Sequence, residues 1–344
     1  MIFKRIISTI LIILFFTCQF SQIEAMPGIS AQAYIVIDGQ SGRILNSHNA
    51  EIKLPIASTT KIMTAILAIE TIEDLEQKIE VPPDCTGIEG SSIYLRPGQT
   101  VSVIDLLYGT MLRSGNDAAA TLSKFAGRND PEGFVSMMNK KAKELGALNT
   151  NFVNPSGLHD DNHYSTAYDL ALISAYAMKN DTFKKIASAE KYKAVSMNNM
   201  FYNKNKVVYQ YKHGTGIKIG YTKAAGRCLV ASAEKDGTEI IAVLLNDNNW
   251  FNESYQIFDW AFENYKSYSV VEKGQFVKYT PERNPVFIGD SFKCSFTDEE
   301  IKQIRFEPLI EPELMSNDTE TKTAGTYNIY LGKTKIHSGT LITE

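Results

Sequence analysis

Ser58-Thr59-Thr60-Lys61, Ser114-Gly115-Asn116 and Lys218-Ile219-Gly220 follow one another along this chain. Between them they hold a nucleophile, a base and a receptor for a negative charge. Positions three apart on a helix share a face, so the Lys61 amine can reach the Ser58 hydroxyl. A lysine is a base only when neutral, and at an ordinary pKa near 10.4 only about one in 2,500 is neutral at pH 7. Its pKa must fall by roughly 3 units, worth about 4 kcal/mol, which burial and the positive end of a helix can both help supply. Ser114 can then relay a proton between Lys61 and a leaving amine, and Asn116 can hydrogen-bond a peptide amide of the substrate. Lys218, on an edge strand, offers a positive charge to a terminal carboxylate.

A Ser-x-x-Lys sequence alone says little. Ser188-Ala189-Glu190-Lys191, Ser196-Met197-Asn198 and Lys235-Asp236-Gly237 make a second series of the same form. Their surroundings separate the two. After Ser58 the apolar residues Ile62, Met63, Ile66, Leu67 and Ile69 recur at helical spacing, so residues 58–70 read as a buried helix. No such helix follows Ser188, and Lys235-Asp236-Gly237 reads as a hairpin turn. Around the first series, residues 33–38 and 43–45 form a predicted hairpin. Ser102, Asp130-Pro131 and Thr166 each open a helix. Residues 216–222, 227–234 and 239–245 read as an antiparallel meander, and 250–265 as a helix whose Phe251, Tyr255, Phe258 and Phe262 face a sheet. Beyond Tyr265 short alternating runs replace helices. The expected division is a catalytic domain over 26–265 and a small all-β domain over 270–344.

Length and composition agree with that division and exclude several classes. A chain of 344 residues, 44% hydrophobic and 22% charged, suits about two globular domains. The net charge of −4 provides none of the basic surplus that drives nucleic-acid binding. Lys4 and Arg5 precede an apolar run over 6–16 that is shorter than the ~20 residues of a membrane span, and Ala25 suits cleavage, so 1–25 read as a secretory signal. Cys85, Cys228 and Cys294 would remain, an odd number that is no disulfide framework, and Cys228 reads as a buried thiol. His48, His159, His163, His213 and His337 lack metal-ligand spacing and read as solvated or structural. No metal or cofactor is expected.

With these motifs the chain resembles the secreted serine D-alanyl-D-alanine carboxypeptidases, the low-molecular-weight penicillin-binding proteins. Further segments carry the likeness: Pro55-Ile56-Ala57, Asp117-Ala118, Asn154-Pro155-Ser156-Gly157-Leu158-His159, His163-Tyr164-Ser165-Thr166 and Gly220-Tyr221-Thr222-Lys223-Ala224-Ala225-Gly226. The resemblance implies an α/β (α+β) serine DD-peptidase fold of the β-lactamase type, an antiparallel sheet flanked by helices with a helical insert. It implies an acyl-enzyme on Ser58, Lys61 as base, Asn116, Lys218 and Gly220 at the substrate, and the backbone N–H groups of Ser58 and Tyr221 as oxyanion hole. The expected partners are peptidoglycan stem peptides, which lose their terminal D-alanine, and β-lactams as covalent inhibitors. Rival readings are a β-lactamase and a silent wall-binding protein.

One residue departs from the pattern, because Ile219 stands where the family has threonine. A hydroxyl lost from a charged carboxylate costs about 1.5–3 kcal/mol, or roughly 10- to 150-fold in transition-state binding. The expectation is an impaired enzyme that Ile219→Thr would improve by that factor. Thr222, on the opposite side of the strand from Ile219, is no expected substitute. The expected location is exported, at the outer face of the cytoplasmic membrane or in the wall. Membrane contact is expected only through a retained signal, since Ile342-Thr343-Glu344 ends in strand-like sequence.

Overall fold

Apolar runs at 228–233 and 240–245 call for strands covered on both faces. The computed structural model, which describes residues 25–128, 130–280, 283–310 and 322–343, joins them in one antiparallel sheet. Its strands are β1 (Ala33–Asp38), β2 (Ile44–His48), β3 (Gly214–Thr222), β4 (Gly226–Lys235) and β5 (Thr238–Leu245), in spatial order β2-β1-β5-β4-β3. β3, which carries Lys218, is an edge strand. β5 is buried throughout. Its odd-numbered residues Ile241, Val243 and Leu245 join the helical core. Its even-numbered Ile240, Ala242 and Leu244 join a second core on the other face. The signal expected over 1–25 lies, apart from Ala25, outside the described residues.

The helices of seven or more residues are α1 (Lys61–Thr71), α2 (Val103–Leu112), α3 (Asn116–Ala126), α4 (Pro131–Glu144), α5 (Ala167–Met178), α6 (Asp181–Ala187) and α7 (Trp250–Asn264). The first six fall between β2 and β3 in the chain. Those that pack on one face of the sheet surround α1, which is buried from Lys61 to Ala68. α7 covers the other face with Ile257, Phe258 and Ala261. Two expected caps form: Ser102 Oγ accepts from Asp105 N at 3.3 Å and Thr166 Oγ1 from Asp169 N at 3.0 Å. Asp130 makes no such bond, so α4 relies on Pro131 at its first turn.

The expected helix over 58–70 begins later than its apolar pattern. Residues Ala57–Thr60 form a 3-10 turn, and the α-helix starts at Lys61. The Thr59 and Thr60 hydroxyls donate back to the Ile56 and Ala57 carbonyls at 2.7 and 2.8 Å, competing with the helical pattern and tightening the turn.

After α7 the described residues form β-strands, apart from a 3-10 turn at Ile301–Gln303. β6 (Lys266–Val271) pairs with β9 (Phe292–Phe296). β7 (Phe276–Tyr279), β8 (Pro285–Ile288), β10 (Ile304–Ile310), β11 (Lys322–Leu331) and β12 (Thr334–Thr343) form a sheet in the order β7-β8-β12-β11-β10. Val286, Phe296, Tyr327, Ile329 and Leu341 make a separate core. The β1–β2 turn ties the two parts together. Asp38 Oδ2 accepts from Ser295 N at 3.1 Å, and Arg43 donates to the Ser295 carbonyl at 2.6 Å and pairs with Glu300.

Candidate active site

Ser58 lies in the tight turn that α1 continues, and Lys61 is the first residue of that helix. Ala57, just before the serine, is held at φ +48°, a left-handed conformation costly for any residue but glycine. Lys61 Nζ lies 3.1 Å from Ser58 Oγ, 2.7 Å from Asn116 Oδ1 and 2.5 Å from the Ser156 carbonyl oxygen. Two of these three neighbours are carbonyls, which only accept. A neutral amine has two hydrogens and one lone pair, so its hydrogens go to Asn116 and Ser156, and the lone pair is left for the Ser58 hydroxyl.

The surroundings favour that neutral form. Lys61 is fully buried, and burial holds its pKa well below the ordinary lysine value, with the charge of Lys218 adding to the effect and Asp117 opposing it. No carboxylate forms an ion pair with it among the described residues. The depression required by the sequence argument is therefore built from desolvation first and a neighbouring cation second.

Ser114 sits in the α2–α3 turn, buried, at φ +63°. No hydrogen bond joins its hydroxyl to Ser58 or Lys61. Asn116 opens α3, and both ends of its amide are used: Oδ1 accepts from Lys61, and Nδ2 donates to the Glu89 carbonyl at 2.5 Å. Asp117 beside it organises the wall of the cleft. Its carboxylate accepts from Ser92 Oγ at 2.6 Å, Ile93 N at 3.1 Å and Leu95 N at 3.0 Å.

The other wall is β3. Alternation along the strand turns Lys218 and Gly220 toward the nucleophile and Ile219 away. Gly220 is required by contact: a β-carbon there would lie 2.8 Å from Ser58 N. Lys218 is 1% exposed, and its ammonium donates to the Ile219 carbonyl at 2.9 Å. Burial, reinforced by Lys204, lowers its pKa to about 7. The cation that lines the cleft itself is Lys223.

The packing of this strand bears on two expectations. Ile219 packs among the residues of the α7-side core, opposite Leu229 of β4, so its side chain is not a gap in the cleft. Thr222, set aside because it faces away from Ile219, for that same reason shares the face of Lys218 and Gly220 and lines the cleft. Its hydroxyl accepts from Ala225 N at 3.0 Å. The cleft has a volume of about 750 Å³ and is lined by Ser58, Glu89, Ser91, Asn116, Ser156, Tyr221, Thr222 and Lys223 among others.

Some contributors were missed from the sequence. Asn154 Oδ1 accepts from the N–H groups of Ser156, Gly157 and Leu158 at 3.1, 2.8 and 3.2 Å, and so aims the Ser156 carbonyl at Lys61. The signal was present as Asn-Pro-Ser-Gly, a turn sequence with no evident chemistry. His163 Nδ1 accepts from Val153 N at 3.2 Å, which leaves Nε2–H to donate to Thr60 Oγ1 at 2.8 Å. Thr60 in turn donates to the Ala57 carbonyl. Burial lowers the His163 pKa to about 4, so the ring is neutral and structural. The second motif series does not converge. Ser188 donates to Lys184 O at 2.7 Å within its own helix end, and Lys191 is exposed on a separate two-stranded ribbon.

Known proteins resemble this chain in sequence and fold. The family model described as D-alanyl-D-alanine carboxypeptidase matches residues 20–249. The D-alanyl-D-alanine carboxypeptidase DacF of Bacillus subtilis is 33% identical over 80% of this chain and 75% of its own length. DacC of Escherichia coli is 32% identical over 92% and 84%. The crystal structure of penicillin binding protein 5 from Haemophilus influenzae superimposes with a TM-score of 0.79 at 26% identity, covering 93% of this chain and 98% of that one. The fold is that of the serine DD-peptidases. On the strength of its sequence match and its cleft, this chain belongs to the D-alanyl-D-alanine carboxypeptidase family.

Proposed function

We propose that Ser58 attacks the carbonyl of the penultimate D-alanine in a peptidoglycan stem peptide and releases the terminal D-alanine through an acyl-enzyme. The observation that carries this reading is the pair of carbonyls, Asn116 Oδ1 and Ser156 O, that use up the Lys61 N–H groups and leave its lone pair to Ser58. The serine proton passes to Lys61, the serine oxygen bonds to the carbonyl carbon, and the proton travels by Ser114 to the leaving amine as the peptide bond breaks. Water then cleaves the ester, returning the serine. The N–H groups of Ser58 and Tyr221 stabilise the oxyanion, supported by the close approach of Gly220 to Ser58. Lys218, beneath the cleft, and Lys223, in its wall, supply positive potential for the terminal carboxylate, with Thr222 as an available hydroxyl.

β-Lactams acylate the same serine in this reading. The protein acts outside the cytoplasm, on the wall, with residues 1–25 as its export signal. Residues 26–265 are the catalytic unit, and the following all-β unit, held by Asp38 and Arg43, positions it. No helix among the described residues is long and apolar enough to cross a membrane. Fluorescent penicillin labelling combined with assay of D-alanine release from a pentapeptide tests the reading. Label with release is expected. Fast turnover of the drug without release would indicate a β-lactamase, and neither label nor release a silent wall-binding protein.

A further inference from the structure

We infer that Asp247 and Glu253 share one proton and act as an acid-tightened clasp, which holds the segment before β1 against the start of α7. This goes beyond the carboxypeptidase reading and does not depend on it. Asp247 lies just after β5 and Glu253 in the first turn of α7, and they are 1% and 4% exposed. Both carboxyl groups meet at Ser30. Its N–H donates to Glu253 Oε2 at 2.8 Å, and its hydroxyl oxygen lies 2.6 Å from Glu253 Oε1 and 3.3 Å from Asp247 Oδ1. A hydroxyl has one hydrogen, and the shorter contact assigns it to Glu253. Asp247 is then left with one donor, Asn249 N at 2.7 Å from Oδ1, while Oδ2 is buried with no partner among the described residues. A carboxylate so placed is costly to keep ionised, and a proton held between the two side chains removes that cost.

No cation offsets the pair: neither group has an ion pair among the described residues. Residues 25–32 carry no ionisable side chain. On β4, Arg227 donates to the Asn248 carbonyl at 2.9 Å, and Lys206, which borders the same loop, lies over the Phe251 ring. Burial, with the charge of Glu253 and a hydrogen bond to it, raises the Asp247 pKa to about 6, against the bond from Asn249. The clasp fastens two parts of the fold. Met26 and Ile29, just before Ser30, pack on the α7-side core, so the bonds at Ser30 hold that segment down. On the other side Asp247 N donates to the Arg227 carbonyl at 2.9 Å, and Arg227 pairs with Tyr221 of the cleft. Opening the clasp frees an aspartate that ionises near 3.8, so the clasp is tightest below that pH and loosens as pH rises, until the closed pair itself ionises near 6.

His163, whose pKa is lowered, acts on overall stability with the opposite sign, so the test reads the segment itself. Hydrogen exchange of the Ser30 and Asn249 amides is measured by NMR between pH 4 and 7, as protection relative to an unstructured peptide. Wild type should lose roughly 50-fold in protection over that range. Asp247→Asn, whose amide keeps a donor for Glu253 and cannot ionise, should hold nearly constant protection, and Glu253→Gln gives the same test should the first variant fold poorly. Wild-type protection that changes by less than threefold, or a fall that persists in the variants, would overturn the inference. So would protection restored at pH 7 by sodium or calcium chloride, which would put a metal ion in place of the proton.

Discussion

Lys61 Nζ and Asn116 Oδ1 lie 2.7 Å apart, and the asparagine can do nothing there but accept. Asn116, which also lines the cleft, bridges the base to the Glu89 carbonyl, so it sets the direction of the Lys61 lone pair and the position of the cleft wall together.

Replacing Lys61 with methionine should slow penicillin acylation by about 10²- to 10⁴-fold, the usual contribution of a positioned general base. In the wild type, the rising limb of acylation against pH should lie well below the ordinary lysine range, because burial lowers the Lys61 pKa. A rate that climbs only as an unperturbed lysine titrates would contradict the assignment.

Gly220→Ala should reduce acylation by about 10²-fold, since displacing a reacting group by as little as 1 Å can cost that much. The new methyl meets Ser58 N at 2.8 Å and Ala57 Cβ at 3.1 Å, so the nucleophile's turn must move. Stopped-flow acylation within threefold of wild type would show that this contact is not limiting.

Much of this was legible in the sequence because its signals are local. The three motifs, the Ser102 and Thr166 caps, the five strands of the main sheet and α7 all come from spacing within a short window. What stayed hidden depends on contacts between distant segments. The Ser156 carbonyl reaches Lys61 only because the Asn154 turn folds against the nucleophile's turn: a β-carbon on Gly157 would lie 1.9 Å from the Ala57 carbonyl oxygen. Strand periodicity separated Ile219 from Lys218, but it could not say that Ile219 packs against the α7-side core.

The packing of Ile219 argues for a different outcome of Ile219→Thr than its sequence position does. With its side chain in the α7-side core, threonine there should change kcat/KM for a D-alanyl-D-alanine peptide by less than about threefold, and not by the roughly 10- to 150-fold of a restored charge-assisted bond. The protein should lose about 1 kcal/mol of stability, from the smaller apolar side chain. A tenfold or greater kinetic gain would place residue 219 at the substrate after all.

His163 should make the fold acid-sensitive in a defined window. Its pKa is lowered to about 4 in the fold, against about 6.5 in the unfolded chain, so the unfolded state binds the extra proton first. Its contribution is complete above pH 6.5 and is lost as pH falls toward 4, in total about 3 kcal/mol. Denaturant unfolding of His163→Gln should show a shallower decline between pH 7 and 4 than the wild type. Parallel declines would mean that the ring protonates without cost.

The central claim is that Ser58, activated by Lys61, removes a terminal D-alanine. It is tested most directly by incubating wild-type and Ser58→Ala protein with a pentapeptide ending in D-alanyl-D-alanine and measuring free D-alanine. Wild type should release D-alanine. The variant should release none, take no penicillin label and unfold at nearly the wild-type temperature. Release by a folded Ser58→Ala protein, or penicillin bound at Ser188, would contradict the account.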